Sequence, residues 1–467
     1  MANERLAALM REAGFLTPDG SVGRKVFARA VRDVAASYGV ARSFNHTYVS
    51  RWLQGVVPRD AETRHFIAEA LARRLGRPVA LHEIGMDSPD VVPPDLGARY
   101  LADLAESTHV VARLLQADLD ELPIFLRSTP DVAAWNEAVL TWLVSPGSTA
   151  TPTPSTGRRV GASDVERVRA MVRAFDQMDG QFGGGHARRP LVAYLRRELP
   201  SLLSGTYTEA VGRQLFEASA EALQLAAWMS YDAGFHDLAG RYFVQALRLA
   251  EASGNRLLAA SILDAMSHQA TFLGRFSEAV NLARSARLGV AQKTSPILIA
   301  HFYMMEARAL ARLGHVSECD KALAAAMTEF DRRVPGEGPA WIQYFDDAEM
   351  AAELGHCNRD LGRARAASDY ASQSVRASDG SYLRSDFFAT MVLADSYLDQ
   401  GEEEEACRVA LDALQIGEQI SSARCRTYVQ EFYERLAKIG FKKNRTVRDF
   451  VEQARSFKLW PPETRAQ

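Results

Sequence analysis

Apolar side chains recur every three to four residues along most of the chain, and the alternation typical of β-strands is almost absent. This period predicts helices throughout, so the expected fold class is all-α. The charged start, MANERLAALMREAG, predicts a short first helix. Three more helices are predicted before residue 80, over residues 21–39, about 45–54 and 60–76.

The apolar positions of these helices predict which faces are buried. In the short helix, Val49, Trp52 and Leu53 share one face at i, i+3 and i+4. Either Asn45 or Thr47 is expected to cap its start, and Gly55 to end it. The flanking helices are expected to bury Val26, Phe27, Ala30, Val31, Val34 and Ala35 in the first, and Phe66, Ile67, Ala70, Leu71 and Leu75 in the second.

The other surface of the short helix is polar. A support helix, a short helix with a polar outer face and a packing helix follow one another as in a helix-turn-helix. Amides, hydroxyls and arginine match base edges in the major groove, and basic residues at helix ends hold phosphate. The predicted DNA-binding residues are Asn45, His46, Thr47, Tyr48, Ser50 and Arg51 on the short helix, Arg24 and Lys25 at the start of the support helix, and Arg59 in the following loop.

Charge is distributed unevenly along the chain. The net charge is −3, but residues 21–80 hold eleven Arg and Lys against four Asp and Glu. This segment therefore has an excess of seven positive charges, and the rest of the chain carries −10. A basic segment in an otherwise acidic protein is typical of a domain that binds phosphate groups. The alternative is that these basic residues only form a solvated helix face.

An internal repeat occupies the last two thirds of the chain. Glycines at 234, 274, 314, 362 and 401 lie 40, 40, 48 and 39 residues apart. Each is followed five positions later by a small residue, namely Ala239, Ala279, Cys319, Ala367 or Ala406. Glycine permits a tight turn and the small residue a close approach, which predicts helical hairpins that stack into an α-solenoid. The alternative is a helical bundle without repeats.

Two breaks divide the chain into three predicted regions. DSPDVVPPDLG (87–97) interrupts regular structure, and SPGSTATPTPSTG (145–157) has the composition of a flexible linker. The regions are a helix-turn-helix domain (1–86), a connector of two helices that ends in the linker (87–157), and a repeat domain for sensing or dimerisation (158–467). A later glycine-rich stretch, DGQFGGGHARRP (179–190), lacks the spacing of a phosphate-binding loop. It is interpreted as a break, with the next helix starting at Pro190.

The segment YVSRWLQGVVPRDAETRHFIAEALARRLGRPV resembles the second half of a phage-repressor-type helix-turn-helix. Together with AAWMSYDAGFHDLAGRYFVQALRLA and the repeats that follow, the chain resembles actinobacterial regulators that join such a domain to a tetratricopeptide-like array. The resemblance implies transcriptional regulation. Two features depart from the pattern: the repeat period is near 40, and GVARSFN between the support and recognition helices is longer than a tight turn.

The sequence contains no nucleophile–base signature or cofactor motif. His315 and Cys319 lie four apart and could ligate a metal, but Cys319 occupies the small-residue position of a repeat and is interpreted as a buried structural thiol. No catalytic, cofactor or metal site is therefore predicted, and the chain is not expected to be an enzyme. No apolar run reaches the ~18 residues that cross a bilayer, and the start does not resemble a secretory signal. A cytoplasmic protein without a membrane partner is expected.

The expected function is regulation of transcription through sequence-specific binding to double-stranded DNA. The repeat domain is expected to form a homodimer, to sense a peptide, protein or small-molecule ligand in its concave groove, or both. The alternative is a repeat scaffold that binds no DNA and whose N-terminal module binds a protein.

Overall fold

The computed structural model describes residues 2–58, 60–77, 79–86, 92–93, 95–122, 126, 128–145, 157–290, 295–334, 336–439 and 445–461. These residues form 20 α-helices, one short 3-10 helix and no strand; two isolated bridges pair Leu16 with Val22 and Arg159 with Thr206. The predicted all-α fold class is confirmed. None of the described helices is both long and apolar enough to span a membrane.

The chain divides into two compact units. The N-terminal unit comprises Met1–Leu96 and Gln116–Thr129, and the repeat unit comprises Gly97–Leu115 and Pro130–Gln467. One helix, α5 (Leu104–Leu119), contributes residues to both. The other helices of the N-terminal unit are α1 (Glu4–Glu12), α2 (Arg24–Ser37), α3 (His46–Leu53) and α4 (Ala61–Leu75).

The core of the N-terminal unit follows the predicted faces, with one exception. Val49 and Trp52 of α3 are buried, and Leu53 packs half-buried beside them. Val26 of α2 is 46% exposed, so its predicted burial is wrong. The buried stripe of α2 consists of Phe27, Ala28, Val31, Val34 and Ala35. At about 100° per residue, Val26 lies about 140° around the helix from the centre of this stripe, whereas Ala28 lies about 60° from it.

The repeat unit is built from antiparallel helices. Its further members are α6 (Val132–Val144), α7 (Ala162–Phe182), α8 (Gly184–Leu203), α9 (Glu209–Asp232), α10 (His236–Ser253), α11 (Arg256–Phe272), α12 (Phe276–Gly289), α13 (Pro296–Leu313), α14 (Val316–Asp331), α15 (Asp347–Asp360), α16 (Ala364–Ala377), α17 (Leu383–Asp399), α18 (Glu403–Gly417), α19 (Ala423–Ile439) and α20 (Arg445–Ala454).

The predicted hairpin repeat is confirmed. Successive pairs from α9/α10 to α17/α18 pack against each other. The five repeat glycines all lie in these turns with φ between +72° and +91°, a conformation that favours glycine. The five small residues that follow them are fully buried between paired helices: Ala239, Ala279, Cys319, Ala367 and Ala406.

The two predicted connector helices, α5 and α6, both form. The part of α5 that lies in the repeat unit, and α6, pack on the second hairpin helices: a Cβ on Gly240 would lie 2.7 Å from the indole nitrogen of Trp135. Gln245 donates to the carbonyl oxygens of Gly97 and Arg99 at 2.9 and 3.0 Å. Of the predicted linker 145–157, residues 146–156 lie outside the described residues.

The helix after the glycine-rich stretch starts at Gly184, so the predicted start at Pro190 is wrong. The reason is a close backbone approach. A Cβ on Gly184 would lie 2.6 Å from the carbonyl oxygen of Met229, and the Gly185 N–H donates to Ser421 at 2.9 Å. The glycines therefore bring the start of α8 against the ends of other helices.

Those contacts close the array of hairpins on itself. Asp232, at the end of α9, accepts hydrogen bonds from the Gly184 N–H at 2.9 Å and from the Ser422 hydroxyl at 2.8 Å. Arg384 of α17 lies 3.3 Å from Asp232 and donates to Asp179 of α7 at 2.7 Å. Helices from the first part of the repeat unit thus meet helices from its last part. We call these five residues the closure network.

Candidate nucleic-acid interface

The ends of α3 are set by its local sequence. The Asn45 side-chain oxygen accepts from the N–H groups of Thr47 at 2.9 Å and Tyr48 at 3.4 Å, which makes Asn45 the cap rather than Thr47. The helix ends at Leu53, and Gly55 follows with φ +89°. The predicted short helix and its stop are therefore confirmed.

The face of α3 opposite Trp52 is open to solvent. The side chains of His46, Thr47 and Arg51 are exposed, and Arg51 forms no ion pair or hydrogen bond within the part of the chain that the structure describes. Tyr48 is 44% exposed, and its ring packs edge-on against Phe44 with centroids 6.0 Å apart. Three side chains are thus free to reach a ligand, and Tyr48 offers only the outer part of its ring.

Two predicted contact residues have structural partners. The Asn45 oxygen is occupied by the cap, so its amide group retains only donors for recognition. Ser50 is half-buried: its hydroxyl donates to the His46 carbonyl oxygen at 2.9 Å and accepts from Arg24 at 3.3 Å. Ser50 therefore links the first turn of α2 to α3 and is less available than the sequence indicated.

The hydrogen bond from Arg24 also fixes the geometry of the face. It brings the predicted phosphate-binding end of α2 beside the predicted base-reading surface of α3. Lys25 is exposed next to Arg24 and has no ion pair among the described residues. Both residues line an open groove of about 720 Å³, together with His46 and with Arg11 of α1. No sequence pattern indicated Arg11, because its position depends on how α1 packs.

Helix α1 holds the end of α3 in place. The Asn3 N–H donates to the Leu53 carbonyl oxygen at 2.8 Å, which provides a partner for one of the free carbonyls at the end of α3. The Asn3 side chain accepts from the Leu6 N–H at 3.1 Å and donates to Ile84 at 2.8 Å. Asn3 thus joins α1, α3 and the chain after α4, a role that the sequence did not suggest.

The connection between α2 and α3 spans residues 38–45, longer than the 3–4 residues of a typical helix-turn-helix turn. Phe44 in this connection is buried and packs on Trp52 with centroids 5.7 Å apart. The extra length is thus anchored in the core. Arg59, the remaining predicted contact, lies outside the described residues.

The sequence model of a family described as the SP15 N-terminal domain matches residues 6–87. The match covers the four helices of the N-terminal unit and none of the hairpins. No curated protein matches the chain.

Proposed function

We propose that the chain is a DNA-binding transcriptional regulator. Arg51, Thr47 and His46 read base edges from the exposed face of α3. Arg24, Lys25 and Arg11 hold the phosphates on either side. In this role the cap at Asn45 and the bond from Asn3 to Leu53 orient α3 but do not read sequence.

The observation that supports the proposal best is the hydrogen bond between Arg24 and Ser50. It places basic residues at the start of α2 beside an exposed polar face on α3. Recognition helices combine base-reading and phosphate-binding groups in this way. Residues 21–80 also carry an excess of seven positive charges, which attracts the phosphates of the duplex.

The second candidate is a scaffold whose N-terminal unit binds a protein. The half-exposed ring of Tyr48 favours it, because aromatic side chains are enriched at protein interfaces. A protein interface of that kind predicts no preference for one duplex sequence over another.

The two candidates separate in a selection experiment. The purified full chain is incubated with a random duplex library, and the retained fragments are sequenced. The regulator yields an enriched motif of a few base pairs, and the Arg51→Ala variant loses it. An Arg275→Ala variant, which removes an exposed arginine from the repeat unit, keeps the motif. Retained fragments without any motif contradict the proposal.

We further propose that the repeat unit forms a homodimer and senses a ligand. One short recognition helix covers few base pairs, and two-fold related readers extend the site. If the chain is a homodimer, the enriched motif is expected to contain two half-sites. Light scattering is expected to give a molar mass of about twice 51.5 kDa. A single half-site together with a monomeric mass would exclude this arrangement.

A further inference from the structure

The first helices of successive hairpins surround a small cavity inside the repeat unit. Its wall is formed by α11, α13, α15 and α19, and its volume is about 50 Å³. This is several times the ~10–15 Å³ that one water molecule needs, and far below the ~300–1,000 Å³ of pockets for drug-sized ligands. The cavity therefore fits one small group rather than an extended peptide.

Charged side chains dominate the wall. Four arginines and two acids line the cavity: Arg308, Arg312, Arg359, Arg424, Asp360 and Glu431. Arg359 is neutralised by Asp360 at 2.8 Å and by Asp395, whose carboxylate lies 3.5 Å from the Arg359 guanidinium. Glu431 is exposed, so water screens its charge. Arg308 pairs with Glu353 and Arg424 lies 3.9 Å from Asp232, so among the described residues Arg312 is the one arginine of the wall without a carboxylate partner.

Two of these arginines have incomplete partners although they are buried. The Nε atoms of Arg308 and Arg424 have no hydrogen-bond acceptor within the described chain, and both residues are less than a tenth exposed. Arg308 bonds to Glu353 through a different nitrogen at 2.5 Å. A buried N–H without an acceptor is costly, and the guanidinium groups that carry these two N–H groups belong to residues that line the cavity.

Arg424 is positioned by aromatic rings and by one ion pair. Its guanidinium lies over the ring of Phe388 at 4.5 Å and that of Tyr231 at 4.8 Å. Its nearest carboxylate, Asp232, is 3.9 Å away and already belongs to the closure network. A guanidinium held flat with an unused edge matches the geometry of a carboxylate or a phosphate.

At the exposed side of the cavity lies Arg312. Its guanidinium packs over Phe276 at 5.2 Å and forms no ion pair in the described residues. An anion held by Arg308 and Arg424 would find in Arg312 a third positive group that is not neutralised.

We propose that this cavity binds a single anionic group, the carboxylate or phosphate of a small molecule. The group accepts hydrogen bonds from Arg308 and Arg424 and is attracted by Arg312. This inference rests on the sensor role proposed above and names its ligand class. DNA takes no part in the binding step, so a failure here leaves the DNA-binding proposal untouched, and the reverse also holds.

The test is calorimetric titration of the full chain, without DNA, at constant ionic strength. Inorganic phosphate and succinate are titrated separately, and sodium chloride serves as the blank. We expect saturable binding of one of them, and the one that binds identifies the source of the anionic group. The Arg424→Gln variant weakens binding by about tenfold or more, as loss of a charge-assisted hydrogen bond implies.

A second variant covers the case in which Arg424→Gln fails to fold. Arg312→Gln changes an exposed side chain and leaves the fold intact, and it weakens binding by roughly threefold through lost attraction. Arg275→Gln, an equally exposed arginine outside the cavity, changes nothing. If neither anion binds saturably, or if the affinity is unchanged in every folded cavity variant, the proposal is overturned.

Discussion

Arginine has opposite roles in the two units. In the N-terminal unit, Arg51 and Arg24 are exposed and meet no carboxylate within the described residues. In the repeat unit, the side chains of Arg384 and Arg359 are only 18% and 8% exposed and are bound to Asp179 and Asp360. Exposed charge costs little to maintain and is available to a partner, whereas buried charge must be paired. The contrast predicts that loss of charge impairs binding in the first unit and folding in the second.

The largest effect is expected at the closure network. Asp232→Ala removes a buried carboxylate that pairs with Arg384 and accepts hydrogen bonds from the Gly184 N–H and the Ser422 hydroxyl. Removal of one member of a buried ion pair costs about 3–5 kcal/mol. We expect a loss of that size in the free energy of unfolding of the repeat unit, measured by urea denaturation.

Asp412→Ala is the matched control for this change. Asp412 is exposed and lies 3.0 Å from Arg408, and such surface pairs contribute about 0–1 kcal/mol. If the Asp232 and Asp412 variants unfold at the same urea concentration, the closure network does not stabilise the array.

The second effect is on binding. Arg51→Ala is expected to weaken binding to the selected duplex by about 1–3 kcal/mol, the range for one specific base contact, because Arg51 has no structural partner to lose. Gel-shift titration measures the affinity, and the urea midpoint is expected to stay unchanged. If the Arg51→Ala variant unfolded at a lower urea concentration and kept its affinity for the selected duplex, Arg51 would contribute to folding and not to DNA binding.

A smaller effect is expected at Asn45, which orients α3 in the proposed function but does not contact bases. Asn45→Ala removes the cap and is expected to destabilise the N-terminal unit by about 1 kcal/mol. Gln54→Ala changes an exposed residue at the other end of α3 and is expected to stay within about 0.5 kcal/mol. Thermal unfolding followed by circular dichroism measures both, and equal melting temperatures would argue against the cap.

These sites also show where sequence alone was sufficient. The stop at Gly55 and the repeat turns at Gly234 and its equivalents are local features, with the residues that cause them a few positions apart. The cap was predicted only as Asn45 or Thr47, and the structure selects Asn45. The buried faces of α3 and α4 followed from helical period in the same way. At the edge of a buried stripe the helical period does not determine whether a residue is buried, and Val26 was wrongly predicted to be buried.

The features that were missed depend on distant residues. Asn3 and Leu53 are 50 positions apart, and Arg384 and Asp179 are 205 apart. No local pattern indicates such partners. The cavity has the same origin, because Arg308 and Arg424 meet only when the array closes on itself. The closure leaves a small cavity within the described part of the unit.

The smallest predicted effect concerns pH. Burial would lower the pKa of His301, but the Asp264 carboxylate 2.6 Å away more than offsets this, so the pKa is raised. A histidine in the unfolded chain titrates near 6.5. The contribution of His301 to stability is therefore full below about pH 6.5 and is lost as the pH rises through the folded-state pKa.

The wild-type repeat unit is accordingly expected to lose the stabilisation from His301 over an interval that begins near pH 6.5 and extends upward. The His301→Gln variant is expected to lose less stability over that interval. The urea midpoint of each protein, measured at each pH, tests this. Parallel curves for the two proteins would mean that His301 does not titrate there.

The central claim is that the N-terminal unit reads DNA through α3. Its most direct test compares the affinity of the full chain for the selected duplex and for a shuffled duplex between 50 and 200 mM salt. The account predicts tighter binding to the selected duplex at every salt concentration, and for both a linear fall in the logarithm of affinity with a slope near −0.9 for each phosphate contacted. Equal affinity for the two sequences, or binding that salt does not weaken, would contradict it.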